Sequence, residues 1–367
     1  MALPFYLGNL IMALIALTLI FLAVKKHYEP LLLIPIGFGA VLVNLPGGEL
    51  MNPGGLIRMI YDFGVSTDLF PILVFMGVGA MCDFGAYLER PWIIVFSIPA
   101  TFMGIIVPIL LSLTLGFQPL EATAIGIIGA MDGPTAIYVS TKYAPRMLGA
   151  ITVAAYTYIA MVPILQTRVS KILTTRKERL TRMPYSPKAY SQNVRLAFPI
   201  VATVAIGLMA PQGIPLVGAL MLGNFLRESR VVERLSRSAQ NEITNISTLL
   251  LGFAIGGTME AERFLTVETL LVFGLGLIAF VSGLASGIIF GKLAYVITKG
   301  KVNPLIGACG SSAFPMGART AHRIGREEDP DNWLLVHAIA ANSIGQVVSV
   351  IAGGAILTFV PTLLSLR

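Results

Sequence analysis

Charged residues are scarce in this sequence. Of its 367 residues only 12% are Asp, Glu, Lys or Arg, whereas 55% are hydrophobic. A water-soluble domain of this length needs a much larger charged surface, so the composition excludes an ordinary soluble enzyme. The apolar residues fall in long blocks between short charged intervals, and blocks of about 17–25 apolar residues can span a bilayer as helices. The sequence therefore predicts an all-α polytopic membrane protein.

Cysteine is also scarce, with Cys82 and Cys309 as the only two. Both lie in apolar or Gly-rich stretches, which argues against a disulfide framework and against a cysteine-based metal site. The P-loop, GxSxG and HExxH motifs are absent, so no nucleotide site for an ATP-driven pump is predicted. The net charge of +7 comes from basic residues at the edges of apolar blocks. This arrangement is typical of positive-inside membrane topology and not of nucleic-acid binding.

The first apolar segment is too long for the core of a signal peptide, and we expect it to be a retained span. Two later segments are interrupted by Gly and Pro, and we expect each to enter the membrane and return to the same side, leaving about ten spanning helices. The apolar segments are 5–24, 31–44, 69–82, 92–116, 121–141, 147–166, 196–210, 212–226, 242–258, 266–298, 304–318 and 337–362, of which 121–141 and 304–318 are the broken ones.

The two halves of the sequence resemble one another. The matching stretches are 35–44 with 215–224, 77–83 with 252–258, and 128–134 with 306–312. Between the halves, 167–195 is strongly basic and is predicted to be a cytoplasmic linker. With the broken segments as re-entrant loops, 1–166 and 196–367 form two inverted repeats and most basic residues lie inside. Transporters with this arrangement place their site at the repeat interface.

Asp132 is the strongest functional signal. It lies in IIGAMDGPTAIY, eleven residues after Glu121 and ten residues before Lys142, which are the nearest flanking charges. A lone carboxylate at bilayer depth costs several kcal/mol unless it is paired, protonated or holding an ion. Gly133 and Pro134 break the helix beside it and free backbone carbonyl groups that can also coordinate a cation. The structural alternative is a protonated carboxyl group that bonds to a neighbouring helix.

A second signal is the stretch 303–320, whose Gly and Pro content predicts unwound backbone at membrane depth. It offers Asn303, Ser311 and Ser312 as neutral oxygen ligands that suit Na⁺, although small serines also serve simple helix packing. Arg319 could pair with a substrate carboxylate or anchor the chain at the interface. Asn342 carries an amide group within an apolar helix. Its side chain could equally form a hydrogen bond to a neighbouring helix or bind an ion.

Two phenols, Tyr156 and Tyr158, lie in the apolar stretch ITVAAYTYIAMVP. A buried phenol usually needs only a hydrogen-bond partner, but one of the two could donate a proton in a reaction.

Together these stretches resemble the β subunit of the sodium-pumping, biotin-dependent decarboxylases, which act on oxaloacetate, methylmalonyl-CoA, glutaconyl-CoA or malonate. The resemblance covers most of the chain. The motifs that carry it are DFG (83–85), DGPTAI (132–137), GNFLRES (223–229), NPLIG (303–307), SAxPMxAR (312–319) and HAxxxN (337–342).

This resemblance implies a carboxybiotin decarboxylase that consumes a proton and moves Na⁺ outward across a bacterial inner membrane. A separate biotin carrier protein would deliver carboxybiotin, with a carboxyltransferase subunit and a small membrane subunit as further partners and a homo-oligomeric core. Asp132 would bind Na⁺ and a proton, and Tyr158 would donate a proton or be a ligand at a second site. The sodium ligands would be Asn303, Ser312 and Asn342, and Ser312 would also exchange a proton. Arg319 would bind the carboxylate of carboxybiotin, and Asn303 would lie beside the biotin.

Several positions depart from the family pattern. Gly129-Ala130-Met131 precedes Asp132 where the family has Gly-Gly-Ala, so a bulkier Met lies beside the acid. Gly317 stands where the family has Ala, and Ala340-Ala341 replaces Gly-Pro before Asn342. No Met-Lys-Met biotinylation site occurs, so biotin must arrive on another chain.

Two other functions fit parts of the sequence. A secondary Na⁺-coupled symporter for an organic anion would also use broken helices and a midplane acid. A purely structural membrane anchor for an enzyme complex is disfavoured, because an anchor gains nothing from the buried charge of Asp132.

Overall fold

The computed structural model describes residues 5–184 and 190–365, and all regular structure within these ranges is helical. Lys188, one of the basic residues predicted for the linker, lies outside the described residues. The helices of the first half are α1 (Phe5–Lys26), α2 (Pro30–Val43), α3 (Leu56–Ile60), α4 (Leu69–Met81), α5 (Gly85–Leu88), α6 (Ile94–Thr114), α7 (Pro119–Gly126), α8 (Gly133–Tyr143), α9 (Leu148–Ala160) and α10 (Val162–Leu173).

The linker and the second half continue the helical pattern. Their helices are α11 (Arg176–Arg179), α12 (Gln192–Met209), α13 (Ile214–Ser229), α14 (Glu233–Ser238), α15 (Thr244–Gly257), α16 (Ala261–Phe264), α17 (Val267–Ile297), α18 (Met316–Glu328) and α19 (Leu335–Ser365). Shorter 3-10 or π-helical turns adjoin them at Tyr61–Val65, Pro91–Ile93, Ile127–Ala130, Pro145–Met147, Pro211–Gly213, Ala239–Ile243 and Pro304–Gly310.

Five helices in the described ranges are long and apolar enough to cross a membrane, namely Leu7–Lys26, Pro91–Thr114, Gln192–Met209, Val267–Ile297 and Leu335–Ser365. Two bent pairs raise the number to seven: Leu56–Val65 with Leu69–Met81, bent by 57°, and Pro145–Ala160 with Val162–Leu173, bent by 63°. This count does not confirm the ten spans predicted from the sequence, which stay a prediction. Helices α2 and α15 have 14 residues each, and at 1.5 Å per residue they extend roughly 21 Å, against about 30 Å of hydrocarbon.

The first broken segment has the interruption that its Gly and Pro content predicts. Helix α7 continues as a 3-10 turn to Ala130, the chain is non-helical at Met131 and Asp132, and α8 begins at Gly133. Met131 has a φ of 58°, in the left-handed region that is unfavourable for a residue with a side chain. Asp132 is extended, with φ −137°, and occupies the N-cap position of α8. The break thus leaves backbone groups beside the buried acid outside regular helix.

The second broken segment is built in a similar way. A 3-10 helix runs from Pro304 to Gly310, and regular helix returns only at Met316, with α18. In both halves a glycine of the 3-10 turn crosses a glycine of a long helix, Gly129 on Gly104 and Gly307 on Gly287. A Cβ on Gly129 or on Gly307 would collide with the facing backbone carbonyl, so these crossings need glycine.

Helices of the two halves pack on one another in a reciprocal pattern. Helix α2 packs against α15, α4 packs against α13, and α6 crosses α17. The asparagines of the matching stretches make equivalent contacts, because Asn44 Nδ2 donates to the Met259 carbonyl oxygen at 2.8 Å and Asn224 Nδ2 donates to that of Cys82 at 3.0 Å. Each amide thus bonds to the chain just after a helix of the other half.

The basic linker is fastened to α18 and the turn after it. Arg179 pairs with Glu328 at 2.7 Å, Arg182 pairs with Asp329 at 2.6 Å, and Lys171 pairs with Glu327 at 3.1 Å. We call these three ion pairs the linker clasp. A single salt bridge at a protein surface contributes little to the free energy of unfolding. The clasp, however, joins three basic residues of the linker to three acidic residues at the end of α18 and just after it. It therefore sets the position of α18 relative to the linker.

Candidate functional site

A cavity of about 620 Å³ lies between the two halves. Both broken segments line it, together with residues from α2, α4, α9, α15, α18 and α19. Most of its wall is apolar, with Leu31, Val74, Val78, Ile159 and Ile339 among the lining residues. Such a concave, largely apolar pocket with a few polar groups is the usual form of a small-molecule site.

Asp132 lines this cavity and is only 5% exposed. Its Oδ2 accepts hydrogen bonds from Thr135 Oγ1 at 2.7 Å and from Ser349 Oγ at 2.5 Å. Neither hydroxyl group bonds to Oδ1. The carboxylate is therefore oriented by two hydroxyl donors on Oδ2, one from its own helix and one from α19.

Ser312 lies beside Asp132, from the other broken segment, and also lines the cavity. Its hydroxyl group donates to the Ala130 carbonyl oxygen, two residues before the acid. Its own carbonyl oxygen accepts a hydrogen bond from Gln346 Nε2. The structure thus brings together Asp132 and Ser312, two of the predicted site residues, and ties both broken segments to α19.

Arg319 is the third predicted residue on the cavity wall. It lies in the first turn of α18 and is exposed, and its guanidinium group makes no hydrogen bond or ion pair within the described ranges. Glu29, between α1 and α2, lines the same cavity and is half-buried, and this burial raises the pKa of its carboxyl group. The cavity therefore carries an arginine that is free to bind a carboxylate, and one further titratable group outside the spans.

The two phenols have different surroundings. Tyr158 Oη donates to the Phe273 carbonyl oxygen at 2.6 Å, and Tyr158 does not line the cavity. Tyr156 lines the cavity, and its hydroxyl group lies directly against Gly133, the residue after the buried acid. No hydrogen bond of the Tyr156 hydroxyl group is found among the described residues. Of the two, Tyr156 is the phenol that faces the acid.

Asn303 and Asn342 lie off the cavity wall. Asn303 begins the second broken segment, where its Nδ2 donates to the carbonyl oxygens of Arg179 at 2.9 Å and Thr181 at 2.8 Å, and its Oδ1 accepts from the Leu305 amide at 3.0 Å. Asn342 Nδ2 donates to the Ser311 carbonyl oxygen at 2.6 Å, while its Oδ1 is buried without a partner among the described residues.

Three polar contacts of the site are not predicted from the sequence, namely those of Thr135, Gln346 and Ser349. A signal for two of them was present, because Asn342, Gln346 and Ser349 recur at i, i+4 and i+7 in an apolar helix and so share one face. Thr135 lies one turn after Asp132, where a hydroxyl group can reach back to an N-cap side chain.

Comparison with known proteins places this geometry in a family. The family model described as the Na⁺-transporting oxaloacetate decarboxylase beta subunit matches residues 8–360. The chain is 44% identical to the glutaconyl-CoA decarboxylase subunit beta of Acidaminococcus fermentans over 353 residues, which covers 96% of this chain and 93% of the relative. It is 44% identical to the methylmalonyl-CoA decarboxylase subunit beta of Veillonella parvula over 355 residues, covering 97% and 94%.

A third relative is the oxaloacetate decarboxylase beta chain 2 of Salmonella typhi, which is 39% identical over 414 residues, covering 96% of this chain and 95% of the relative. The family-model match over residues 8–360 includes both broken segments and every residue that lines the cavity described above. The resemblance predicted from the motifs is confirmed, and this chain belongs to the family of beta subunits of Na⁺-transporting decarboxylases.

Proposed function

We propose that this chain is the membrane subunit that couples decarboxylation of carboxybiotin to outward Na⁺ transport. The observation that carries the proposal is the position of Asp132, which is buried at the wall of a cavity shared by both halves and keeps one carboxylate oxygen without a hydroxyl donor. The description of the family supports Na⁺ transport, and the names of the relatives support decarboxylation. The acid supplies a group that can bind a cation or a proton at bilayer depth.

The cavity suits carboxybiotin carried on a separate protein. Biotin is a compact, mainly apolar bicycle, and the carboxyl group adds one negative charge. Apolar side chains such as Val74, Val78 and Ile159 would bind the ring system, and the guanidinium group of Arg319 would bind the carboxylate with two parallel hydrogen bonds. Carboxybiotin supplies a carboxyl group that leaves as CO₂ while the ring nitrogen takes one proton.

Na⁺ is the transported substrate, and we propose that it binds between Asp132 and Ser312. The carboxylate of Asp132 supplies negative charge, and hydroxyl and backbone oxygens of the two broken segments supply neutral ligands, the combination that hard cations prefer. Thr135 and Ser349 would hold the carboxylate in place as the ion arrives. The sodium-ligand role of Asn303 stays a prediction from resemblance, since its polar atoms bond to the linker and to its own turn.

We propose Tyr156 as the donor of the consumed proton. Its hydroxyl group faces the cavity beside Asp132, whereas that of Tyr158 is bonded to a carbonyl oxygen outside the cavity. A phenol within reach of both the buried acid and the cavity can give a proton to a ring nitrogen and regain one through Asp132. The role of Tyr158 that the resemblance implies is the alternative, and the two variants Tyr156→Phe and Tyr158→Phe distinguish them.

We also propose an inverted-repeat topology, which places the opening of the cavity on the cytoplasmic side and so gives outward transport of Na⁺. The reciprocal packing of α2 on α15 and α4 on α13 supports it, as do the equivalent contacts of Asn44 and Asn224. The cavity is lined by Glu29, Met81 and Leu335 at helix ends that charge distribution predicts to be cytoplasmic. Na⁺ would then enter from the cytoplasm of a bacterial cell and leave across its inner membrane, with the carrier and the carboxyltransferase docked inside.

A Na⁺-coupled symporter of an organic anion remains the second candidate, because the guanidinium group of Arg319, which has no partner within residues 5–184 and 190–365, would bind any carboxylate. The test uses the purified chain in detergent with free carboxybiotin, and with its biotinylated carrier. We expect CO₂ release that is faster in NaCl than in KCl, together with copurification of the carrier. Uptake of an organic anion into proteoliposomes without CO₂ release would contradict the decarboxylase and establish the symporter.

A further inference from the structure

A second cavity, of about 530 Å³, lies at the other end of helices that also line the first cavity. Helix α9 lines the first cavity at Ile159 and the second at Gly149. Helix α15 lines the first cavity at Thr248, and Thr258, just after its end, lines the second. Ten residues of helix extend about 15 Å in each case. With the topology proposed above, the second cavity opens at the outer side of the membrane, and we call it the outer cavity.

Three arginines from separate parts of the chain line the outer cavity. Arg58 lies in α3, Arg146 lies in the turn before α9, and Arg263 lies in α16. Tyr61, also on the wall, interacts electrostatically with both Arg58 and Arg263. Glu268 is the only acidic residue on this wall among the residues that the structure describes. Since Lys and Arg normally concentrate on the cytoplasmic side, the convergence of three arginines on one outer cavity favours a binding role.

These arginines keep nitrogen atoms that are available to an anion. Arg146 is exposed and makes no hydrogen bond or ion pair within the described ranges. Arg58 bonds to Asp62 through Nε at 2.8–2.9 Å, and Arg263 pairs with Glu260 through Nε at 3.2 Å. The terminal Nη atoms of both side chains make no hydrogen bond in the parts of the chain that the structure describes. Guanidinium groups bind phosphate through pairs of parallel hydrogen bonds, so the outer cavity has the donors of a phosphate site.

The surroundings of the outer cavity favour a lipid as the source of the phosphate. Leu56 and Met59, on either side of Arg58 in α3, are exposed, and so are Val267 and Leu270 at the start of α17. Exposed apolar side chains beside a basic pocket suit a lipid, because the acyl chains cover the apolar surface while the pocket binds the headgroup. A free phosphate ion would gain nothing from this apolar surface.

From this geometry we propose that the outer cavity binds the phosphate group of an anionic phospholipid, held by Arg146 and by the Nη atoms of Arg58 and Arg263. The bound headgroup connects α3 and the turn before α9, in the first half, with α16 in the second half. The inference uses the proposed topology and is independent of the proposed chemistry at Asp132.

The test is the melting temperature of the full-length chain in a nonionic detergent, titrated with dihexanoyl phosphatidylglycerol. Because the headgroup connects three segments of the fold, the melting temperature of the wild type should rise to a plateau. Arg146→Gln removes charge-assisted hydrogen bonds to the phosphate, and the lipid concentration at the midpoint should rise roughly tenfold or more. Arg263→Gln should shift the midpoint in the same direction.

The matched control is Arg168→Gln. Arg168 is also exposed and makes no hydrogen bond or ion pair within the described ranges, but it lies in the linker. This variant loses the same charge and should respond to the lipid like the wild type. A wild type that is not stabilised by the lipid, or midpoints that are equal in the wild type, Arg146→Gln and Arg263→Gln, would overturn the site.

Two further ligands identify the source of the phosphate. Dihexanoyl phosphatidylcholine has the same acyl chains and phosphate but no net charge, and it should stabilise the wild type much less. Inorganic phosphate at the same concentrations should produce no plateau. Equal stabilisation by inorganic phosphate would show a site for a free anion and overturn the assignment to a lipid.

Discussion

Ser349 donates a 2.5 Å hydrogen bond to Oδ2 of Asp132 from a helix that lies 217 residues further along the chain. Hydrogen bonds to charged groups contribute about 1.5–3 kcal/mol, and 1.4 kcal/mol corresponds to a factor of ten. We expect Ser349→Ala to raise the Na⁺ concentration for half-maximal decarboxylation by roughly tenfold or more. Ser365→Ala, at the exposed end of the same helix, is the matched control. Equal Na⁺ dependence in both variants would show that Ser349 does not orient the acid.

The two phenols provide a second prediction. Tyr156→Phe removes a hydroxyl group that faces the cavity, and loss of a general acid lowers rates typically by 10²–10⁴. Tyr158→Phe removes a hydrogen bond to the Phe273 carbonyl oxygen, which contributes about 1 kcal/mol to stability. We therefore expect a slow but stable Tyr156→Phe protein, and a Tyr158→Phe protein with a lower melting temperature and nearly full activity. The reverse result would return the proton-donor role to Tyr158.

The crossing of the second broken segment depends on glycine. A Cβ at position 307 would collide with backbone atoms of Gly287, which cannot move as a side chain would. Overpacking of this kind costs about 1–3 kcal/mol, so Gly307→Ala should lower the melting temperature of the detergent-solubilised protein. Gly218→Ala, on an open helix surface, should melt like the wild type. Equal melting of the two variants would contradict the close crossing.

The linker clasp predicts a dependence on pH. Arg179 holds the pKa of Glu328 below its usual value of 4.5, and Arg182 does the same for Asp329 below 3.8. Because both pKa values are depressed in the folded state, the stabilisation is complete above these usual values and is lost as the pH falls below them. We expect the distance between two spin labels, one on the linker and one on α18, to be short and narrowly distributed at pH 7, and longer and more broadly distributed at pH 3.5.

The control for this prediction is Glu328→Gln, which cannot form the charged pair with Arg179. In this variant the distance should be longer and more broadly distributed already at pH 7, with a smaller further effect of acid. A wild-type distance that is the same at both pH values would contradict a role for the clasp.

The sequence allowed prediction of the parts of the site that follow from local chemistry. Gly133 and Pro134 indicated the break beside Asp132, and the isolation of that acid among apolar residues indicated a function. The polar face of α19 could be predicted from its spacing, but the contact of Ser349 with Asp132 could not, because it depends on how α19 packs against a segment distant in sequence. The ten spans stay a prediction, because short apolar segments such as Pro30–Val43 have the composition of a span but only 14 residues.

The roles of Tyr156 and Tyr158 also depend on tertiary packing that the local sequence does not determine. The two residues are separated by one position, so on a helix their side chains point about 200° apart, and only one can face the cavity. Nothing in the local sequence says which face of α9 meets the first broken segment. The packing of α9 against α8 and α17 decides it, and it directs Tyr156 toward Gly133 and Tyr158 toward Phe273.

Asp132 is proposed to couple decarboxylation to Na⁺ movement. The decisive measurement is ²²Na⁺ transport by proteoliposomes that contain the complete complex. CO₂ release is followed in the same sample. The wild type should accumulate ²²Na⁺ in inverted vesicles in proportion to CO₂ released, and Asp132→Asn should lose both. Wild-type vesicles that release CO₂ without moving Na⁺, or an Asp132→Asn complex that still transports Na⁺, would contradict the account.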